Sequence, residues 1–268
     1  HADAQKNGIT LLHSYITLGE KCLPETYLHP AELYAAMRNG SKVSTSQASI
    51  LERQQFFESV LDRFEKVLYL CVGSAYTANY AAALEWKKQN DPQNRLIVLD
   101  TGAASGRLAV IALAVNRCLA RTKDMEKTVE FAAKAVSACE EYVFLDKLEY
   151  LAAGGRLSKT GAFVGDMLKM KPVVSPQPEG AKKVGVVHNQ QDQIKMALQR
   201  LAASLSKETK ALIMLEYSDN YDWVNQTIKP LIAEHFPQAQ IIVQPLSLTS
   251  GAHMGPGTWA VAFLPEME

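Results

Sequence analysis

The sequence predicts an α/β protein whose first half contains a mostly parallel sheet with flanking helices. Two observations predict this fold class. Strand-like runs alternate with helical segments, and the runs at residues 67–72 and 96–100 are apolar almost without interruption. Continuous apolar strands are typical of parallel sheets buried on both faces, and the alternation favours right-handed crossovers between them.

The first half begins with a β-rich run over residues 8–18. The spacing of Leu33, Tyr34 and Met37 predicts a helix over residues 30–38, and the polar stretch 44–49 leads into a helix that ends near residue 64. The other elements of this half are predicted, in chain order, as strand 67–72, a helix ending near residue 88, strand 96–100, helix 103–120, helix 125–140 and strand 142–145.

The composition changes to Gly, Lys and Ser near residue 154, which predicts a domain boundary between residues 150 and 151. We therefore expect an N-terminal α/β domain over residues 1–150 and a C-terminal α/β domain over residues 151–268. The elements predicted for the second half are helix 160–169, strands 172–174 and 184–187, helix 191–205, strand 211–215, helix 223–235, and strands 241–246 and 259–264.

Composition excludes several classes of function. Lys plus Arg equals Asp plus Glu at 28 each, so no bulk basic charge is present to drive nucleic-acid binding. The four cysteines are far apart and form no CxxC or Cys/His ligand spacing, which argues against a zinc site and a disulfide framework. No apolar run reaches the roughly 20 residues that span a bilayer. We expect a cytoplasmic protein with reduced thiols and no integral membrane segment.

The segment 251–257 places His253 among three glycines and a proline, between two apolar strand-like runs. We expect a loop at strand ends, where α/β proteins bind ligands. Glycine allows close backbone approach, and an imidazole donates a hydrogen bond to a carboxylate or a phosphate. An anionic ligand follows from this interpretation. The alternative is a surface turn whose histidine is solvated.

Two hydroxyl clusters stand next to predicted helix starts, where unpaired N–H groups favour an anion. The first contains Ser44 and Thr45, and the second contains Ser74 and Thr77. The alternative for both is simple helix capping, a common use of Ser and Thr. Arg156 lies between two glycines and a serine, where it either presents its guanidinium to an anion or belongs to a helix C-cap and turn.

Motifs of known catalytic chemistry are missing from the sequence. It contains neither a GxxxxGK[ST] phosphate loop nor a GxSxG nucleophile elbow. No carboxylate pair has a spacing typical of a magnesium site. We therefore expect no catalytic residue, no cofactor and no metal.

Together these segments resemble the DegV family of bacterial fatty-acid-binding proteins along nearly the whole chain. The most characteristic stretch is Leu148-Glu149-Tyr150-Leu151 followed by Gly154-Gly155-Arg156-Leu157-Ser158-Lys159 and Lys171-Pro172. Gly251-Ala252-His253-Met254-Gly255-Pro256-Gly257 is similar to the family's closing signature. Ser44-Thr45-Ser46-Gln47 and the turn from Ser74 to Tyr80 are similar to two further blocks, the second more loosely.

The resemblance implies two α/β domains with a ligand cleft between them that holds one long-chain fatty acid. Carried over by position, Ser44, Thr45, Thr77 and His253 contact the carboxylate. Ser74 and Ala78 belong to the second contact loop, where the Ala78 methyl group replaces the usual glycine and narrows the approach to the backbone. Arg156 supports the site or the domain interface. For the apolar tunnel we name Phe144, Phe163 and Met167, with filling of the domain core as the alternative.

The resemblance also implies a partner. Family members of this kind present the bound acid to a separate kinase subunit, which forms an acyl phosphate for phospholipid synthesis. The fatty acid is then a ligand of a non-enzymatic subunit. The alternative is a hydrolase or transferase that acts on an acyl or phosphorylated small molecule, with His253 as general acid or base.

The family's first strand and its Asp-Ser turn have no counterpart before residue 8. A parallel sheet that lacks an inner strand exposes unpaired backbone groups. The sequence-based hypothesis is that this strand lies upstream of residue 1, in a longer polypeptide that carries a kinase-like module.

Overall fold

A computed structural model describes residue 4, residues 6–157 and residues 171–267. The predicted helix 160–169 lies outside the described residues, and so do Phe163 and Met167. The strands are β1 (Ser14–Leu18), β2 (Lys21–Pro24), β3 (Val43–Gln47), β4 (Val67–Cys71), β5 (Leu96–Asp100), β6 (Glu140–Phe144), β7 (Lys171–Gln177), β8 (Gly180–Val187), β9 (Ala211–Tyr217), β10 (Gln240–Pro245) and β11 (Trp259–Pro265).

The helices follow the strands in regular alternation through most of the chain. They are α1 (Pro30–Arg38), α2 (Ile50–Arg63), α3 (Asn79–Asn90), α4 (Ser105–Thr122), α5 (Met125–Ala138), α6 (Glu149–Ala153), α7 (Gln190–Ser204), α8 (Tyr221–Trp223), α9 (Lys229–His235) and α10 (Leu248–Met254). A 3-10 turn covers Glu25–Tyr27, and a π-helical turn, Val224–Ile228, joins α8 to α9. The predicted α/β fold class is confirmed.

The described strands form three sheets. The strands β4 and β5 pair in parallel, as the apolar runs predicted. An antiparallel sheet with the order β2-β1-β3 was not predicted. A six-stranded mixed sheet has the order β10-β9-β11-β6-β7-β8. The boundary between residues 150 and 151 stays a prediction, although β6, which precedes it, belongs to this six-stranded sheet.

Helix starts follow the local sequence closely. Pro30 occupies the first turn of α1, where its missing N–H costs nothing, and His29 accepts a hydrogen bond from the backbone N–H of Ala31. A capping box begins α2, because Ser49 and Glu52 exchange side-chain hydrogen bonds with each other's backbone N–H. These caps explain why both helices begin where the sequence predicts.

The central strand β11 divides the core into two layers. Trp259, Val261 and Phe263 face one large apolar cluster, in which Trp259 stacks on Phe144 with 4.3 Å between ring centroids. Ala262 faces the opposite side, against Val110 and Ile111 of α4. A small residue at this position lets the helix lie close to the sheet.

Two segments differ from their predicted structure. The polar run 44–47, for which no strand was predicted, is strand β3, because its backbone pairs with β1. Residues 251–254 form the last turn of α10 and not a loop, while Gly255 and Gly257, with φ of 84° and 75°, form the turn into β11. Ser247 caps this helix by accepting from the backbone N–H of Ser250.

Candidate functional site

The structure brings together Thr45 and His253, two predicted site residues from distant parts of the chain. Oγ1 of Thr45 lies 2.8 Å from Nε2 of His253. Thr45 is on β3 of the antiparallel sheet, and His253 is in the last turn of α10. Successive side chains of a strand point to opposite faces, so Ser44 points away from this contact, and it is exposed.

Gly154 fixes the other edge of the imidazole. A methyl group built on Gly154 would overlap Nδ1 of His253, so only glycine leaves room for the ring in this position. Gly154 has φ −74° and ψ −11°, an ordinary helical conformation. Glycine is therefore required here for space and not for backbone geometry.

Burial and a neighbouring cation keep His253 neutral. Loss of hydration, and to a lesser extent the positive charge of Arg156, together lower its pKa from the usual 6.5 to about 4. At neutral pH the ring therefore acts as a hydrogen-bonding group without charge. The guanidinium of Arg156 donates to the carbonyl of Gly154, which places a permanent positive charge beside the ring.

The second predicted loop is engaged in local contacts. Oγ1 of Thr77 accepts from the backbone N–H of Asn79 at 3.2 Å, as expected for a residue at the start of α3. Ser74 and Ala78 are both exposed, and the backbone N–H of Ser74 donates to Asp100 at 3.1 Å. Among the described residues, the hydrogen bond that joins two predicted site residues is the one between Thr45 and His253.

Phe144, predicted for the tunnel, is fully buried in the core beneath the six-stranded sheet. Its ring stacks on Trp259 at an interplanar angle of 11°. This environment matches the alternative interpretation of Phe144 as a core residue. Its contribution to a tunnel stays a prediction.

Sequence reasoning assigned no role at the site to three tyrosines that position these loops. The hydroxyl of Tyr76 donates to the carbonyl of Gln177 at 2.8 Å and accepts from its N–H at 2.9 Å, which ties the second loop to β7. Tyr34 packs against Gly251, and Tyr150 packs against Gly255, so that a side chain at either glycine would overlap an aromatic ring or its hydroxyl. The glycines were visible in the sequence, but their partners were not.

A pair of buried carboxyl groups lies at the start of α4. Glu141 on β6 and Glu216 on β9 have 0% and 2% of their surface exposed, and they hydrogen-bond to each other across β11. Glu141 accepts from the backbone N–H groups of Gly106 and Arg107, and Glu216 accepts from the hydroxyl of Ser105. Burial raises the pKa of both groups. This pair is sealed from solvent and holds α4 against the sheet.

Within the described part of the chain, no three His, Cys, Asp or Glu side chains cluster in a way that would hold a metal ion. No helix among the described residues has both the length and the apolar character needed to cross a membrane.

The family model described as "Uncharacterised protein, DegV family" matches residues 1–266. A DegV domain-containing protein of Lactococcus lactis, YteA, is 27% identical over 264 residues, which cover 96% of this chain and 91% of that protein. A solved structure reports fatty acid binding by a DegV family protein from Thermus thermophilus. It superposes with a TM-score of 0.89 at 22% identity, and the match covers 98% of this chain and 94% of that chain.

A third similar protein is the fatty acid kinase (Fak) B3 protein of Streptococcus pneumoniae, solved with linoleic acid bound. It superposes with a TM-score of 0.81 at 16% identity, over 95% of this chain and 90% of that one. At these identities the solved structures establish a shared fold over nearly the full length of each chain.

Proposed function

The chain belongs to the DegV family, and from this we propose that it binds a long-chain fatty acid whose carboxylate lies against Thr45 and His253. One observation carries the proposal. The hydroxyl of Thr45 and the imidazole of His253, 208 positions apart in the sequence, meet at 2.8 Å beside a guanidinium. A convergence of polar groups from distant segments is what a buried head group requires.

A carboxylate suits this combination of groups. Taken out of water, it must be met by several hydrogen-bond donors or suffer a large desolvation cost. With Nε2–H of His253 donating to Oγ1 of Thr45, the hydroxyl group remains free to donate to the carboxylate, and Arg156 contributes the opposite charge. Thr77 and the loop from Ser74 to Ala78 complete the head-group site in this proposal.

The tail provides affinity, and the head group provides orientation. At about 0.8 kcal/mol per CH2, a chain of roughly 16 carbons gains on the order of 10 kcal/mol before the costs of binding. In the proposal an apolar tunnel receives the tail, and Phe144, Phe163 and Met167 stay the residues that the sequence predicts for it.

We further propose that the chain is the non-enzymatic, cytoplasmic component of a fatty acid kinase system and hands its ligand to a kinase for acyl phosphate formation. Two findings support this: the similarity to a protein of the Streptococcus pneumoniae fatty acid kinase, and a sequence without a phosphate-binding loop. The fatty acid is then a ligand, and the chain itself needs no cofactor.

Denaturing extraction of the purified protein, followed by lipid mass spectrometry, tests the binding proposal. We expect about one fatty acid per chain, and less in a folded His253→Ala variant. A protein that carries no lipid, takes up none and hydrolyses acyl esters would contradict the proposal and favour the enzymatic alternative. Transfer is tested separately, by mixing loaded protein with a fatty acid kinase and ATP and measuring acyl phosphate.

A further inference from the structure

A cavity of ≈ 350 Å³ lies between helices α4 and α5 and the end of the six-stranded sheet at which β9 and β10 begin and β11 ends. Ala211, where β9 begins, is one of its lining residues. The site of His253 lies at the other end of that strand, because Ser218, just after β9, pairs with Thr258, which in turn bonds to Met254. Seven residues of strand separate the two ends by about 20 Å. The cavity is therefore distinct from the proposed head-group site.

The floor of this cavity is apolar. Cys118 of α4, Leu212 of β9 and Leu264 of β11 line it and are 5%, 7% and 3% exposed. Phe131 of α5 adds an aromatic ring at the side. Such a floor favours an apolar or aromatic body over a bare inorganic ion.

The rim of the cavity is basic. Arg117 and Arg121 are both exposed and lie one helical turn apart on α4, and within the described residues neither has an acidic partner. Like charges at this spacing repel each other along a helix. Lys210 adds a third cation, whose pair with Glu266 at 3.8 Å is about two-thirds exposed on both sides and therefore weak. An anion between the two arginines relieves their repulsion.

We propose that this cavity binds a small amphipathic anion, with its aromatic body on the floor and its carboxylate, sulfonate or phosphate between Arg117 and Arg121. The volume sets the size of the ligand. Because an apolar cavity of about 150 Å³ accommodates one benzene ring, a cavity of ≈ 350 Å³ accommodates a two-ring body. Each planar guanidinium group donates two N–H hydrogen bonds to the oxygens of the anion. This site goes beyond fatty acid binding and does not depend on it.

Calorimetric titration of the intact chain with 2-naphthoate tests this site. We expect saturable binding that the double variant Arg117→Gln/Arg121→Gln weakens at least tenfold. Both arginines are exposed, so the variant should fold normally, which circular dichroism and thermal unfolding verify. Lys134→Gln, which removes one exposed positive charge elsewhere on α5, is the control and should leave the dissociation constant unchanged.

A His253→Ala variant assigns the binding to one of the two sites. We expect it to bind 2-naphthoate as the wild type does. Three results would overturn the proposal. They are no saturable binding by the wild type up to millimolar 2-naphthoate, wild-type affinity in the double arginine variant, and loss of binding in the His253→Ala variant while the double arginine variant still binds.

Discussion

Oγ1 of Thr45 and Nε2 of His253 lie 2.8 Å apart and join the antiparallel sheet to the helix that precedes the last strand. The contact is specific in direction, because Thr45 faces the imidazole while its neighbour Ser44 faces solvent. A hydroxyl and a neutral imidazole are well suited to hold a carboxylate, and this arrangement can be tested one atom at a time.

Thr45→Val should weaken fatty acid binding, because it removes the hydroxyl and keeps the shape of the side chain. One hydrogen bond contributes about 1 kcal/mol, which corresponds to roughly a fivefold higher dissociation constant. Titration of delipidated protein with oleate measures it. Ser44→Ala is the matched control and should bind as the wild type does; an equal loss in both variants would remove Thr45 from the proposed site.

Gly154→Ala should reduce fatty acid binding about as much as His253→Ala does. Its backbone conformation suits alanine, so the expected effect comes from displacement of the imidazole by the new methyl group. Gly155→Ala is the control, since that position faces open space and only its φ of 66° is unfavourable. The control should lose about 1–2 kcal/mol of stability and retain affinity. Wild-type affinity in Gly154→Ala would show that His253 does not depend on this contact.

The unfolding free energy should depend on pH through His253. Its pKa is about 4 in the folded protein and 6.5 in the unfolded chain, so between these values the unfolded state binds a proton that the folded state does not. This contribution to stability is complete above about pH 6.5, is lost as the pH falls towards 4, and is absent in His253→Gln. Urea unfolding of both proteins between pH 4 and pH 8 measures the difference. If the unfolding free energies of the two proteins differ by the same amount at every pH, the imidazole is not desolvated in the folded protein.

The buried carboxyl pair predicts unequal effects of two similar substitutions. In Glu216→Gln, the amide group can accept from Ser105 and donate to Glu141, so little stability should be lost. Glu141→Gln turns an amide nitrogen towards the backbone N–H of either Gly106 or Arg107. That N–H loses its acceptor, which should lower the free energy of unfolding by about 1–3 kcal/mol. Urea unfolding near pH 5 compares the variants, and the reverse order would contradict the geometry of the pair.

The same pair predicts a pH dependence of opposite sign to that of His253. The pKa of each carboxyl group is higher in the folded than in the unfolded protein. Its contribution to the stability of the fold is therefore complete below pH 4.5, the usual pKa, and is lost as the pH rises. Wild-type stability should therefore fall relative to Glu216→Gln as the pH rises above about 4.5. A constant difference between the two proteins from pH 5 to pH 8 would mean that the pair shares no proton.

Local signals in the sequence predicted most helices and apolar strands. Helix α1 was predicted with its observed bounds, because its apolar spacing and its proline are both local features. Strand β3 was not recognised, because Ser44, Thr45 and Ser46 have no apolar alternation, and pairing with β1 decides their conformation. Residues 251–254 are helical despite their glycine, since Gly251 packs against Tyr34. Such long-range contacts are not visible in a local pattern.

The candidate site was predictable in its residue types and not in its geometry. His253 and Thr45 were identified from their motifs, and the structure joins them. That Ser44 faces away depends on the register of β3 against β1, and that Gly154 touches the imidazole depends on the packing of α6 against α10. The lowered pKa of His253 likewise follows from burial, a property of the whole fold.

The position of β11 has a consequence for how the protein is made. Among the described strands this one comes last in the sequence, but it lies inside its sheet, between β6 and β9. During translation the strands on either side emerge first, and the edge that each turns towards β11 stays unpaired until residues 259–265 leave the ribosome. Nascent chains that pause before that point expose two unpaired strand edges, which are open to pairing with other chains.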